Sequence, residues 1–222
     1  MVEKCGIIGV LRENLLHTLF PPACCGCGRP LVGADIRDWC RSCAARIKFI
    51  TSPLCPVCGM GLSVAAGRED RWCRSCLKRR PPFDRARSLV HYDDPIRTLL
   101  HRLKFSADTR TTVGFASLIK AERSCYERKD YDLIVPVPLF PARLRKRGLN
   151  QALVLARIFF VDESDKIDPT VLIKAKNTPA QSGLSGPARR KNLVGSIKVK
   201  PGVTLANSRV CLVDDVFTTG AT

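Results

Sequence analysis

Hydrophobic and polar positions change rhythm along this chain. The N-terminal stretch GIIGVLRENLLHTLF sets Arg12, Glu13 and His17 among apolar positions. It predicts an amphipathic helix over residues 1–20, and without a small-residue cleavage site it does not read as a secretory leader. Residues 21–80 are too polar to fold on a hydrophobic core alone. At Arg80, Pro81, Pro82, Phe83 and Asp84 two prolines break any preceding regular structure and mark a boundary. Beyond it, segments 86–92, 133–137, 171–173, 196–199 and 210–213 predict strands. Segments 95–104, 109–127 and 151–161 predict helices, the first with Pro95 at its start. Strands alternating with helices predict an α/β unit over 84–222, its sheet mainly parallel and covered by helices on both faces. In such sheets ligands gather beyond the carboxyl ends of the strands.

Composition narrows the choice. No apolar run approaches the roughly eighteen residues that a membrane-spanning helix needs, which argues against an integral membrane protein. The formal charge of the 222 residues is +17. Eight metal-bound thiolates against two zinc dications lower that figure by four and leave the chain strongly basic. Such a balance favours polyanionic partners, nucleic acid or phosphorylated metabolites, alongside the plainer reading of a solvated basic surface.

Twelve cysteines would suit a disulfide scaffold, but their placement points to metal. Cys24 and Cys27 precede Trp39, Cys40 and Cys43; Cys55 and Cys58 precede Trp72, Cys73 and Cys76. Both halves contain the string WCRSC, and the C-x-x-C pairs are twelve and fourteen residues apart. That is close to zinc-ribbon spacing, in which two knuckles aim four thiolates at one tetrahedral ion. Redox pairs are the rival reading, but a redox motif is expected once and not four times over. The duplication favours sequential sites, Cys24, Cys27, Cys40 and Cys43 for one ion and Cys55, Cys58, Cys73 and Cys76 for the other. An interleaved arrangement is the alternative. With sulfur filling every position, both zinc ions are structural, leaving no place for water or substrate. Cys5, Cys125 and Cys211 read as ordinary buried thiols. The arginines around the knuckles suit a docking or nucleic-acid surface as well as a solvated basic face.

The most informative string is VCLVDDVFTTGAT at 210–222. An apolar strand ends in Asp214 and Asp215, and a turn follows made of Thr218, Thr219, Gly220, Ala221 and Thr222. Its hydroxyls and backbone N–H groups can cradle a phosphate, with Gly220 letting the backbone approach. Two acids beside a phosphate site make sense if they accept hydrogen bonds from vicinal ribose hydroxyls, with or without a cation. Together these parts describe a 5-phosphorylated ribose.

This string resembles the signature of type I phosphoribosyltransferases, which bind 5-phosphoribosyl diphosphate (PRPP). Three further stretches, YDDPIRTLLHRLKF, VPVPLFPARLRKRGLNQA and NTPAQSGLSGPARRKNLV, together with the cysteine-rich head, make the chain similar to the competence-associated ComF family throughout its length. Phe140 and Leu149 are small departures, at positions where family members often have His and usually Phe. The resemblance implies a type I phosphoribosyltransferase fold for 84–222, a double zinc ribbon for 21–80 and a cytoplasmic protein. It implies that Asp214 and Asp215 hold the ribose and 218–222 the 5-phosphate. Arg147, Asn150 and Gln151 would line the cleft, joined by Lys104, and a lid around 178–192 would carry Arg189 and Arg190. The sequence stops at Thr222, where that fold would continue into a helix; it therefore reads as truncated there, with weakened PRPP binding expected.

Three functions follow as expectations. One is transfer of the phosphoribosyl group to an unidentified acceptor in biosynthesis or salvage, with Mg²⁺ neutralising the departing diphosphate. The second is handling of incoming single-stranded DNA alongside uptake or helicase machinery, where scarce aromatics favour backbone contacts over stacking. The third is PRPP sensing without turnover. Of these, DNA handling with a retained PRPP site is the leading expectation.

Overall fold

The structure, a computed structural model, describes residues 22–31, 38–106, 108, 110–122, 131–176, 195–218 and 220. The expected N-terminal helix over 1–20 and the lid around 178–192 lie outside them. The chain is mixed α/β behind a double ribbon. Short helices α1 (Arg41–Ala44) and α2 (Arg74–Lys78) close the two ribbons, and α3 (Ile96–Phe105) and α4 (Arg110–Ala121) follow. Then come β1 (Leu133–Pro136), α5 (Pro141–Arg147), α6 (Gln151–Phe159), β2 (Leu172–Lys174), β3 (Ile197–Val199) and β4 (Val210–Val213).

The knuckles of the two ribbons repeat in their backbone hydrogen bonds. Cys24 donates its backbone N–H to Arg29 and Gly28 to Cys24; Cys55 donates to Met60 and Gly59 to Cys55. Leu31 reaches back to Pro22 and Leu62 to Pro53 in the same way. Gly28 and Gly59 sit at φ of 78° and 69°, a left-handed turn that a side chain would strain.

Their surroundings differ. Cys24, Cys40, Cys43 and Trp39 belong to one buried cluster with Leu89, Ile96, Leu99, Leu100, Leu103, Phe115, Leu118 and Leu155. Helix α3 enters it because Ile96, Leu99, Leu100 and Leu103 recur at helical spacing and so share one buried face. Helix α4 lies so close that a Cβ on Gly114 would come within 2.9 Å of the Cys25 Cβ. The Trp39 indole donates to the Ser117 hydroxyl at 2.9 Å, and Arg102 donates to the Cys25 carbonyl at 3.0 Å. The first ribbon thus completes the helical core. The second has its own small cluster of Cys55, Val57, Cys73 and Cys76.

β1 and β4 pair in parallel, Leu133 opposite Val210 and Pro136 opposite Val213. Arg209 sets the register, donating its backbone N–H to the Asp132 carboxylate at 2.7 Å. Because the pairing is parallel, the segments after Pro136 and after Val213 leave the same edge side by side. Helix α6 packs on both strands and on α4.

Several expectations are corrected. Segment 86–92 is not a strand, because its backbone groups are spent on the ribbons. Ala86 donates to Val57 at 2.7 Å, His91 donates to Lys48, and Leu89 accepts from Ile50. Only Val90 forms a bridge, opposite Phe49. In place of one mainly parallel sheet, the described strands form two separate pairs, β1 with β4 in parallel and β2 with β3 antiparallel. Helix α5 was not expected; Pro141 at its first turn starts it and Gly148 in a left-handed conformation ends it.

The contact between α4 and the first ribbon generates a prediction. Gly114→Ala should gain up to about 1 kcal/mol of helix propensity but lose about 1–3 kcal/mol to overpacking against Cys25 and Leu99. Net destabilisation should lower the urea midpoint at unchanged slope. A rise in the midpoint would mean that the two elements do not pack this closely.

Candidate functional site

Two groups of thiols come together. Cys24, Cys27, Cys40 and Cys43 form one and Cys55, Cys58, Cys73 and Cys76 the other, with the sulfurs of each group all within 4.8 Å of one another. The sequential grouping holds, and Cys25 stands apart, its thiol 3.5 Å from the Arg110 carbonyl. Backbone N–H groups aim at sulfur in both ribbons: Cys40 on Cys24 at 3.2 Å, Cys43 on Cys40 at 3.4 Å, and Cys73 on Cys55 and Cys76 on Cys73 at 3.4 Å each. Those N–H groups favour thiolate. The Ser42 hydroxyl together with the Cys43 amide brings Cys40 down to about 5, while burial pushes Cys43 up to about 12. Four bare thiolates would repel one another at this distance, and a dication removes the conflict. The donor set, closed and all sulfur, fits structural zinc.

The second constellation lies at the carboxyl edge of the parallel pair. Asp214 and Asp215 follow β4 directly, and the Asp215 N–H donates to the Asp214 carboxylate at 2.8 Å. Asp215 forms an ion pair with Lys104, the penultimate residue of α3. Beyond the acids come Thr218 and Gly220, whose φ of 63° turns the chain sharply. Thr219, Ala221 and Thr222 lie outside the described residues, as do Arg189 and Arg190.

Cations surround the acids. Arg147, at the end of α5, lies over the Phe105 ring with its guanidinium carbon 5.5 Å from the centroid, and the charge of Asp215 acts on it. Lys174, at the end of β2, donates to the buried Ser196 hydroxyl at 3.1 Å; burial and the nearby Arg143 push it down, and Asp214 opposes them. Asp214 itself is pushed up to about 7, by desolvation of its carboxyl and then by the like charge of Asp215. Asp214 is exposed as a residue, and the like charge of the adjacent carboxylate is the cause that holds there.

The RG-x-NQ residues divide in role. Both polar atoms of the Asn150 side chain are engaged, its oxygen capping Ala152 at 3.0 Å and its nitrogen donating to the Val137 carbonyl at 3.1 Å. It ties the start of α6 to the segment leaving β1. Gln151 is 3% exposed, and its amide nitrogen has no acceptor among the described residues. Sequence reasoning missed Lys174 and Arg143. Lys174 carries no motif, and its place follows only from the β2–β3 pairing; Arg143 lies within the stretch quoted for the resemblance, but α5 had not been foreseen.

Comparison with known proteins bears on the double ribbon and on the family. Residues 15–77 match the family model described as a double zinc ribbon domain. Competence protein F of Haemophilus influenzae (strain ATCC 51907 / DSM 11121 / KW20 / Rd) is 32% identical over 190 residues, covering 82% of this chain and 80% of that protein. The chain belongs to the ComF family. Other ComF relatives include the DNA utilization protein YhgH of Salmonella typhi, 30% identical over 208 residues, with 91% of this chain and 87% of that protein covered. Competence protein ComFC of Bacillus subtilis (strain 168) is 28% identical over 184 residues, with 82% and 73% covered. No solved structure matches the chain. Among the described residues of this ComF protein, no helix is long and apolar enough to cross a membrane.

The raised Asp214 fixes the sign of a pH effect. Its carboxyl titrates near 7 when folded, against the ordinary 3.8. The folded state therefore holds this proton more tightly, and the cost of ionising Asp214 grows from about pH 4 to pH 7 and is complete above it. Without magnesium, Asp214→Asn should melt above the parent at pH 8, with a gain that shrinks steadily towards pH 5.5. A gain that is constant with pH would remove the carboxylate pair as its cause.

Proposed function

We propose that this ComF protein holds PRPP at the carboxyl edge of β1 and β4, in a unit of the type I phosphoribosyltransferase kind spanning 84–222, and uses it in handling incoming single-stranded DNA in the cytoplasm. The observation that carries the reading is the acidic pair standing just before Phe217 and Thr218 and faced by Lys104, Arg147 and Lys174, with Arg143 close to the last two. Two acids suit vicinal ribose hydroxyls, the turn suits a phosphate monoester, and the cations suit a diphosphate. No single class of ligand group would call for all three.

Lys104 has a specific part in this scheme. In the ligand-free protein it neutralises Asp215, so the acids do not face each other uncompensated. Ribose hydroxyls would then compete with the ammonium for Asp215, while Asp214 accepts the second hydroxyl once ionised. Arg147 and Lys174 would meet the diphosphate oxygens. Magnesium, when bound with PRPP, supplies further neutralisation of that diphosphate. The buried Gln151 amide lacks an acceptor, and a ligand oxygen reaching it would satisfy it.

The DNA half of the reading draws on the relatives, which are named for competence and for DNA utilization. The charge of +17 supports it, since each phosphate neutralised releases a counterion. The same pocket would also serve phosphoribosyl transfer, where positioning matters more than a dedicated base. Accumulation of diphosphate on incubation with an acceptor would favour that use.

Calorimetry tests the pocket. The double substitution Asp214→Asn, Asp215→Asn should weaken PRPP binding in the presence of magnesium about 100-fold or more, as expected for two lost charge-assisted contacts, while the zinc content stays at two per chain. Equal affinity in the double variant would refute the ribose contacts. For DNA, the logarithm of affinity for a single strand should fall linearly with the logarithm of salt concentration. A flat dependence would exclude backbone-driven binding.

A further inference from the structure

The second ribbon reaches Phe217 and Gly220 through the Phe83 side chain. Phe83 follows the two prolines after that ribbon and packs against its cluster of Cys55, Val57, Cys73 and Cys76. From the other side it meets the turn. Its ring stands edge-on to Phe217, with centroids 5.9 Å apart and an interplanar angle of 78°. A Cβ on Gly220 would come within 2.7 Å of the Phe83 ring and 3.2 Å of Phe217, so the backbone there runs tight against both rings.

Phe83 is itself held. Three residues on, Ala86 donates its N–H to Val57 at 2.7 Å, and Arg87 donates to the Pro56 carbonyl at 3.0 Å. Both acceptors belong to the knuckle between Cys55 and Cys58, which pins the segment carrying Phe83 to the shape of the second ribbon. Phe217 is 41% exposed, and Phe83 is the aromatic partner on its covered side. T-shaped aromatic pairs of this kind are directional, so the contact fixes the ring angle as well as its distance.

We infer that Phe83 is a positioning residue, through which the second ribbon holds Phe217 and Gly220 in the conformation that receives an anion. The ribbons divide the work of shaping the site. The first fixes α3 and hence Lys104 beside the acids, and the second fixes the turn through Phe83. The anion-receiving part of this inference rests on the PRPP reading above; the holding of the turn does not.

Amide hydrogen exchange on the ligand-free chain separates the two. Phe83→Ala and Phe83→Leu should leave two zinc ions per chain and leave the protection of α3 and α4 unchanged. The amides of Val216, Phe217, Thr218 and Gly220 should exchange about tenfold faster in both. Phe83→Tyr, which restores an aromatic edge, should return exchange to the parental rate. Cys73→Ser should open the ribbon and speed the same turn amides. PRPP with magnesium should bind the Ala and Leu variants several-fold more weakly and the Tyr variant normally.

Unchanged turn exchange in both the Ala and Leu variants would overturn the inference, as would acceleration spread equally over α3 and α4. A turn that ignores Cys73→Ser would remove the ribbon from it. If the turn loosens as expected but PRPP binds neither parent nor variants, the positioning role stands and the PRPP reading falls.

Discussion

Four cysteine thiols crowded within 4.8 Å, three of them buried in an apolar core, are the constraint around which this chain is arranged. Without metal they differ in acidity, Cys40 drawn down by the Ser42 hydroxyl and Cys43 pushed up by burial. A dication resolves the repulsion of bare thiolates only if the surrounding packing keeps the sulfurs in place. That packing comes from outside the ribbon, from Leu99, Leu103 and Phe115 on α3 and α4. The fit between ribbon and helices is close: at Gly114, Cys25 occupies the space a methyl group would need. Metal site and helical core are therefore one thermodynamic unit.

Function follows from where that unit ends. Helix α3 begins under the first ribbon and finishes with Lys104 against Asp215, so the rigidity of a sulfur cluster is carried along one helix to the acidic pair. Val213 and Val216, on either side of the acids, pack against the same core. Both carboxylates are thus held between two apolar anchors while their side chains face cations from α3, α5 and β2. Like charges placed side by side need such anchoring, because an unrestrained segment would rotate one of them away.

The sequence made some of this legible and concealed the rest for physical reasons. The cysteine spacing was readable because tetrahedral coordination by two knuckles fixes it locally. The apolar run ending at Pro136 was readable because β1 is buried and shows as a continuous hydrophobic stretch. The run ending at Val213 has the same apolar character although Val210 and Leu212 are exposed. Segment 86–92 misled, since its apolar and β-branched content suits a strand while its backbone partners lie in the ribbons. No local pattern announces that. Lys174 was invisible for the same reason: its position depends on pairing with a strand more than twenty residues away. Asn150 was recognised as part of a motif, yet its amide is occupied in capping α6 and tying it to β1, a positional duty that motif matching does not distinguish from ligand contact.

The repeated tryptophan has a consequence of its own. Trp39 is 2% exposed, its indole bonded to Ser117 beneath the first cluster, whereas Trp72 is 39% exposed under the Arg80 guanidinium beside the second. They are the chain's two tryptophans. Duplication has left one indole in hydrocarbon and its twin in water, each adjoining a different sulfur cage. Ultraviolet emission from this protein is consequently the sum of a blue component and a red one, each belonging to its own half of the head. A collisional quencher that reaches only water-facing rings can tell them apart.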